Sequence, residues 1–196
     1  MNKIEHHPDT TRLAAFSDGV IAILITVMVF ELKFSNDLKW LDTEAWLALL
    51  PKFVSYTLSF LMLGVLWVNH HQLLHQIRHS KPGLLWTNLH LLFWMSLVPL
   101  ATHLVGSYPS YAYSGTVYGL VFFSCAGSFT RLRLFALRHQ LLHEHSSVAQ
   151  QHRVKRKNRL AMALYLLGAA ISTYAVYPAF VLYLLVPVLY LSPDKP

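Results

Sequence analysis

The residue of this sequence with the most distinctive chemistry is Asp18, a carboxylate at the start of a long apolar segment. The run from Gly19 to Phe30 that follows it holds no charged residue. An ionised carboxylate inside a bilayer costs about 2.5–3.5 kcal/mol even on insertion scales, so such residues usually have a partner and a function. The position predicts one of three roles for Asp18: ion binding, proton relay or attachment of one helix to others.

Polar side chains on this and two further apolar segments are candidate partners for Asp18. Those that can donate a hydrogen bond are, in chain order, Ser17, Trp67, Asn69, His70 and Asn88. Because polar groups buried in lipid need partners on neighbouring helices, we expect a network that anchors the first helix. Two alternatives stay open. The polar residues can lie at the membrane–water boundary, or Asp18 and His70 can relay protons in a proton-coupled small-molecule transporter.

Histidines at helical spacing are candidate metal or haem ligands. Two candidate pairs lie four residues apart, namely His71 with His75 and His139 with His143, and the second pair is close in sequence to Glu144 and His145. Neither pair has a cysteine or a second carboxylate to complete a ligand set, and a solvated polar helix end is the favoured interpretation. We therefore predict no metal and no cofactor, and a haem protein or membrane enzyme built on these histidines is the weakest hypothesis.

The elements that must position these residues are membrane helices. Of the 196 residues 55% are hydrophobic and 13% are charged, whereas soluble domains have about 25% charged residues. A spanning helix needs about 20 mostly apolar residues. We predict one all-α membrane domain over residues 1–196, with six spans at about 12–34, 43–75, 84–105, 111–138, 160–176 and 179–191. The first span is expected to stay in the mature chain, because no small-x-small cleavage site follows it.

Lysine and arginine are distributed unevenly over the predicted loops. With six spans, both termini lie on one side together with thirteen of these residues, and the other side has only Lys33, Lys39 and Lys52. Because basic residues accumulate in cytoplasmic loops, both termini are predicted to be cytoplasmic. The net charge of +7 thus has a topological explanation, and we expect a lipid bilayer as partner and no nucleic acid.

The first span has two different faces. At about 100° per residue, large apolar side chains fall on one stripe, which consists of Phe16, Val20, Ile23, Val27, Phe30 and Phe34. Asp18 lies about 180° from Val27, on the opposite side, and Glu31 lies at the edge of the stripe. The stripe faces lipid or a neighbouring helix, or else it lines a pore, where bulky apolar side chains can gate by dewetting.

The start of the first span carries a motif. Arg-x-x-x-Phe-Ser-Asp-Gly, from Arg12 to Gly19, at the head of six spans resembles the bacterial homologues of the endolysosomal potassium channel called transmembrane protein 175. The resemblance implies a homotetramer in a bacterial cell membrane that passes potassium and other monovalent cations through a central pore lined by the first helix. By the same resemblance the constriction and filter are Ile23, Val27 and Phe30, with Thr26 beside them. Val27 and Phe30 stand where leucine is common in the family.

The resemblance also assigns structural roles. In the family a Trp-x-x-His stretch on the second helix packs near the Phe-Ser-Asp-Gly turn, and Trp67 and His70 match it here. The motif residues that would orient the first helix are Arg12, Phe16, Ser17, Asp18 and Gly19. We further expect Glu31 to form an acidic ring at the outer mouth, where it would concentrate cations.

One other stretch resembles a filter. Thr116-Val117-Tyr118-Gly119 is similar to Thr-Val-Gly-Tyr-Gly, the carbonyl filter of ordinary potassium channels. It lacks the first glycine and falls inside a predicted span, so we expect a channel without a carbonyl-loop filter. The sequence has no Walker, zincin or nucleophile-elbow motif, and we predict no enzyme activity.

Overall fold

The computed structural model describes residues 10–33, 43–143 and 148–191, and all regular structure in these ranges is helical apart from one isolated β-bridge. A 3-10 turn, Met28–Glu31, continues the first helix. The α-helices are α1 (Thr10–Val27), α2 (Thr43–His75), α3 (Pro82–Ser96), α4 (Val98–Ser107), α5 (Ala112–Arg138), α6 (Val148–Ser172) and α7 (Val176–Leu191). Phe34, the predicted end of the first span, lies outside the described residues.

Four apolar stretches are long enough to cross a bilayer. Judged by length and composition over the described residues, they are Thr10–Glu31, Trp46–His75, Pro82–Ser107 and Ala112–Arg138. The apolar part of α7, Val176–Tyr190, is shorter, and the first turns of α6 are basic. The chain is therefore a multi-pass membrane protein.

The predicted third span is divided in two. α3 ends at Ser96 and α4 begins at Val98, with Leu97 between them. Because Pro99 has no amide hydrogen, the carbonyl of Met95 loses its usual helical donor four residues later. At the break the Leu97 amide donates to the carbonyl of Trp94, three residues earlier, at 3.3 Å, so α3 ends in a tighter turn than an α-helix has.

The sequence predicts a tight connection at Tyr177-Pro178, and this prediction is wrong. α6 ends at Ser172, the turn is made by residues 173–175, and α7 already begins at Val176. Pro178 lies in the first turn of α7, where its missing amide hydrogen is not needed. α6 also begins at Val148, well before the predicted start at about residue 160, because the helix continues beyond its apolar part into the basic stretch.

α5 lies at the centre of the bundle, and α1 lies at its edge. α5 packs against α2, α3, α4, α6 and α7, whereas α1 packs against α2, α3 and α4. The start of α1, the α2–α3 turn, the end of α5 and the start of α6 together form what we call the basic end. There the Arg78 amide donates to the Leu141 carbonyl and the His143 amide to the Gln76 carbonyl, both at 2.8 Å. These bonds tie the α2–α3 turn to the chain that leaves α5.

Candidate functional site

α1 has one side packed on the rest of the chain and one side open. The residues on the packed side are Leu13, Ser17, Ile21 and Met28, all buried. The open side carries four residues of the predicted stripe, whose exposed fractions are 53% for Phe16, 61% for Ile23, 42% for Val27 and 63% for Phe30. No described part of the chain covers these side chains.

The end of α1 brings the bulky side chains into closer alignment. The hydroxyl of Thr26 lies 3.0 Å from the carbonyls of both Ala22 and Ile23, so it bonds within its own helix. Beyond Val27 the backbone tightens into the 3-10 turn. Because side chains three residues apart eclipse one another in such a turn, Phe30 comes closer to the direction of Val27 than an ideal α-helix predicts.

Buried hydrogen bonds join α1 to α2 and α3. His70 Nε2 donates to the side-chain oxygen Oδ1 of Asn88 at 2.7 Å. The Asn88 amide donates to Ser17 Oγ at 2.9 Å, and this hydroxyl donates to the Leu13 carbonyl at 2.8 Å. Ser17, His70 and Asn88 are all buried. Breaking any of these bonds leaves a buried polar group without a partner. This series of hydrogen bonds therefore fixes how α1 is rotated about its axis.

Asp18 is held from α2 by a separate bond. The indole Nε1 of Trp67 donates to Asp18 Oδ1 at 2.9 Å, and the carboxylate is half-buried. His70 bonds to Asn88 and not to Asp18. Within the described residues, the direct link that a relay between Asp18 and His70 requires is therefore missing.

Four residues of the predicted anchoring network take no part in these bonds. Asn69 donates to the Val65 carbonyl of its own helix at 2.7 Å. Arg12, Phe16 and Gly19 are exposed, and a Cβ built on Gly19 would meet no atom within 4 Å. The motif thus divides into Ser17 and Asp18, which hold α1 to its subunit, and three residues that face away from it.

Glu31 has a partner that the sequence reasoning missed. Its carboxylate forms a hydrogen bond with the ring of His103 of α4, at the end of the bundle opposite the basic end. Close by, the ammonium of Lys33 lies 6.0 Å from the centre of the Phe30 ring. The available signal was positional. Consecutive apolar segments alternate in direction, so the third segment runs parallel to the first, and α4, which ends it, lies at the level of Glu31.

A second buried polar cluster joins α2, α4 and α5. The Thr102 hydroxyl lies 2.7 Å from Ser59 Oγ, which lies 2.9 Å from the phenol oxygen of Tyr118. Tyr118 belongs to the stretch that resembles a carbonyl filter, and that stretch lies wholly inside α5. Its carbonyls therefore belong to a helix, and its tyrosine serves the core. Sequence reasoning missed this cluster, because isolated Ser and Thr residues give no signal.

Of the candidate metal ligands, two histidines lie close together in the described part of the chain. The ring centres of His71 and His75 lie 4.4 Å apart. Among the described residues no three His, Cys, Asp or Glu side chains are grouped so that they could hold a metal ion. Glu144 and His145 lie outside those residues.

These features define a class of protein: a helical multi-pass membrane protein whose first helix is bonded to its own bundle on one side and presents bulky apolar residues on the other. The family described as Endosomal/lysosomal potassium channel TMEM175 matches residues 12–99. The chain is also 38% identical over 184 residues to a potassium channel of Chryseobacterium sp. (strain P1-3), which covers 94% of this chain and 93% of the relative.

Structure and a more distant relative agree with this match. The fold is similar to the crystal structure of a lysosomal potassium-selective channel TMEM175 homolog from Chamaesiphon minutus, with a TM-score of 0.77 and 27% identity over 92% of this chain and 95% of that one. The human Endosomal/lysosomal proton channel TMEM175 is 32% identical over 106 residues, 49% of this chain and 21% of the human protein. The chain belongs to the TMEM175 family, a family of channels and not a class of enzymes.

Proposed function

We propose that this protein is a potassium-permeable cation channel, a homotetramer in the bacterial cell membrane whose central pore is lined by four copies of α1. The observation that carries the proposal is the open face of α1. Only 22% of its membrane stretch is buried within the subunit, compared with 44% for α5. The choice of potassium as the permeant ion is supported by relatives that are named potassium channels.

The open face has the composition of a helix–helix contact beside a pore. Next to the bulky stripe runs a row of small residues, all exposed, namely Ala15, Gly19, Ala22 and Thr26. Small residues let the backbones of membrane helices approach closely. In a four-fold bundle this row would contact the neighbouring α1, and the bulky row would then point toward the axis.

The proposed constriction consists of Ile23, Val27 and Phe30. Rings of large apolar side chains in a narrow pore exclude water and so control ion passage without a carbonyl filter. The anchoring bonds of Ser17 and Asp18 would set the rotation of α1 and hence the direction of these side chains. We also propose that four Glu31 residues surround the outer mouth, each paired with its own His103.

The proposed topology follows the charge distribution. Six spans place both termini in the cytoplasm, at the basic end, if α3 and α4 cross together and the apolar parts of α6 and α7 cross as the last two spans. Tags at the two termini should both be inaccessible from outside intact cells. A tag reached from outside would contradict this topology.

Potassium flux from liposomes tests the function. Reconstituted protein should release potassium, and Ile23→Asn should change the rate severalfold because it places a polar ring in the constriction. Leu167→Asn is the matched control, since Leu167 is a comparably exposed residue of α6 with an exposed fraction of 51%. Absence of flux over a range of pH and voltage, with a tetramer present, would contradict the channel.

Cysteine cross-linking tests the arrangement of α1. The one native cysteine, Cys125, is buried in α5, so it should not react from the membrane. Ala22→Cys should form disulfides between subunits on oxidation, and Leu167→Cys should not. Equal cross-linking of the two variants would mean that the small row does not face a second α1.

A further inference from the structure

A cavity between α5 and α6 at the basic end is not used by the proposed pore. It has a volume of about 200 Å³. Its walls combine cationic side chains, Arg133, Lys155 and Arg159, with apolar ones, Phe129, Leu134 and Leu137. Lys155 and Arg159 are four residues apart on α6 and so lie on one face of that helix, opposite Arg133 of α5.

The cationic side chains of this cavity have no acidic partner within the part of the chain that the structure describes. Residues 112–191 contain one acidic residue, Glu144, and it lies outside the described part of the chain. Within the described residues, no hydrogen bond or ion pair occupies the guanidinium groups of Arg133 and Arg159. Arg133 is half-buried, so its charge is partly removed from water and would gain from an anionic ligand. A guanidinium presents two parallel donors that match the oxygens of a phosphate.

We propose that this cavity binds the phosphate headgroup of an anionic phospholipid from the adjoining leaflet, with the start of an acyl chain against the apolar wall. Basic pockets between membrane helices on the cytoplasmic side bind headgroups of this kind. The apolar wall favours a lipid over free phosphate, because Leu134, Leu137 and Phe129 offer nothing to a small hydrated anion. Occupation would link α5 to the basic extension of α6.

Native mass spectrometry of the detergent-purified channel tests the proposal, with dioleoyl-phosphatidylglycerol and dioleoyl-phosphatidylcholine added in turn. The wild-type protein should retain the anionic lipid preferentially. Arg133→Gln with Arg159→Gln should lower that retention about 25-fold, about fivefold for each guanidinium. The matched control is Arg131→Gln with Arg156→Gln, which removes the same charge from the same two helices at exposed positions that do not line the cavity.

The control variant should keep the wild-type preference. Equal losses in the two double variants would overturn the proposal, because general surface charge would then explain binding. Equal retention of both lipids by the wild type would also overturn it, as would displacement of the lipid by an equal concentration of glycerol 3-phosphate, which would indicate a plain phosphate site. If the double variant fails to fold, Arg159→Gln alone, at an exposed position, should still show the fivefold loss, and unchanged retention there would overturn the proposal.

Discussion

α1 and α5 are both apolar membrane helices that contain glycine, and they differ in how closely the rest of the protein packs against those glycines. A Cβ built on Gly119 of α5 would lie 2.2 Å from the Tyr183 hydroxyl, and one on Gly115 would lie 2.2 Å from Ser172 Oγ. A Cβ on Gly19 of α1 would meet nothing within 4 Å. Gly115 and Gly119 of α5 are required by the protein's own core, whereas within the described residues nothing requires a glycine at position 19.

The difference shows where each helix obtains its constraints. α5 is positioned by packing, with Tyr118 and Phe122 fully buried. α1 is positioned by a few polar bonds on one side, and its other side is left for a partner. Substitutions in the two helices should therefore have different effects. Those in α5 should change the free energy of unfolding, and those on the open face of α1 should change potassium flux.

Gly119→Ala should have the largest effect on stability. Its methyl group would displace Tyr183, whose hydroxyl donates to the Gly115 carbonyl at 2.9 Å, so overpacking and a lost hydrogen bond should together cost about 3 kcal/mol. The free energy of unfolding in mixed detergent micelles measures this. Gly64→Ala is the control, because the space beside Gly64 is open. Similar stabilities for the two variants would show that α5 is not tightly packed.

Asn88→Leu should have the second largest effect on stability, because it removes hydrogen bonds on the side of α1 that packs against α2 and α3. The substitution keeps the volume but leaves Ser17 Oγ and His70 Nε2 buried without their partner, and we expect a loss of about 2 kcal/mol in the free energy of unfolding. Asn69→Leu removes only a bond to its own helix, so it should cost less than about 0.5 kcal/mol. If the two variants have the same free energy of unfolding, the buried hydrogen bonds of Asn88 do not hold α1 in place.

These two asparagines also show how far the sequence could predict the site. Hydropathy predicts the helices, and the helical wheel predicts that Asp18 and the bulky stripe lie on different sides, because both depend only on local spacing. The same wheel applied to α2 separates Asn69 by about 200° from Trp67, while His70 lies within about 60° of Trp67. Asn69 could therefore have been excluded, had it been known which face of α2 meets α1.

Other features depend on contacts that no local pattern encodes. The pairing of Glu31 with His103 and the cluster of Ser59, Thr102 and Tyr118 require knowledge of which helices are neighbours. The break at Leu97 was signalled by Pro99, but proline inside α2 at Pro51 does not end that helix. The outcome depends on how the surrounding helices support the backbone, which the sequence alone does not state.

Gly19→Ala should change stability little and function more. Alanine is the better helix former by about 0.5–1 kcal/mol, and nothing in the subunit obstructs the methyl group, so the free energy of unfolding of the subunit should stay equal or rise slightly. If the small row contacts a second α1, the added methyl should push the helices apart, lower the yield of Ala22→Cys cross-links and alter potassium flux. Unchanged flux and cross-linking would place Gly19 against lipid.

His103→Gln should have the smallest effect, and its sign distinguishes a pore-mouth role of Glu31 from a purely structural one. Partly exposed ion pairs contribute about 0–1 kcal/mol, so stability should hardly change. An unpaired Glu31 at the mouth would attract cations more strongly and raise flux about twofold at low ionic strength, whereas Glu31→Gln should lower it. Both effects should vanish near 1 M salt, where the screening length is only about 3 Å. A change that persists at high salt would mean that the pair acts by holding the end of α1 against α4, and the acidic ring would then be wrong.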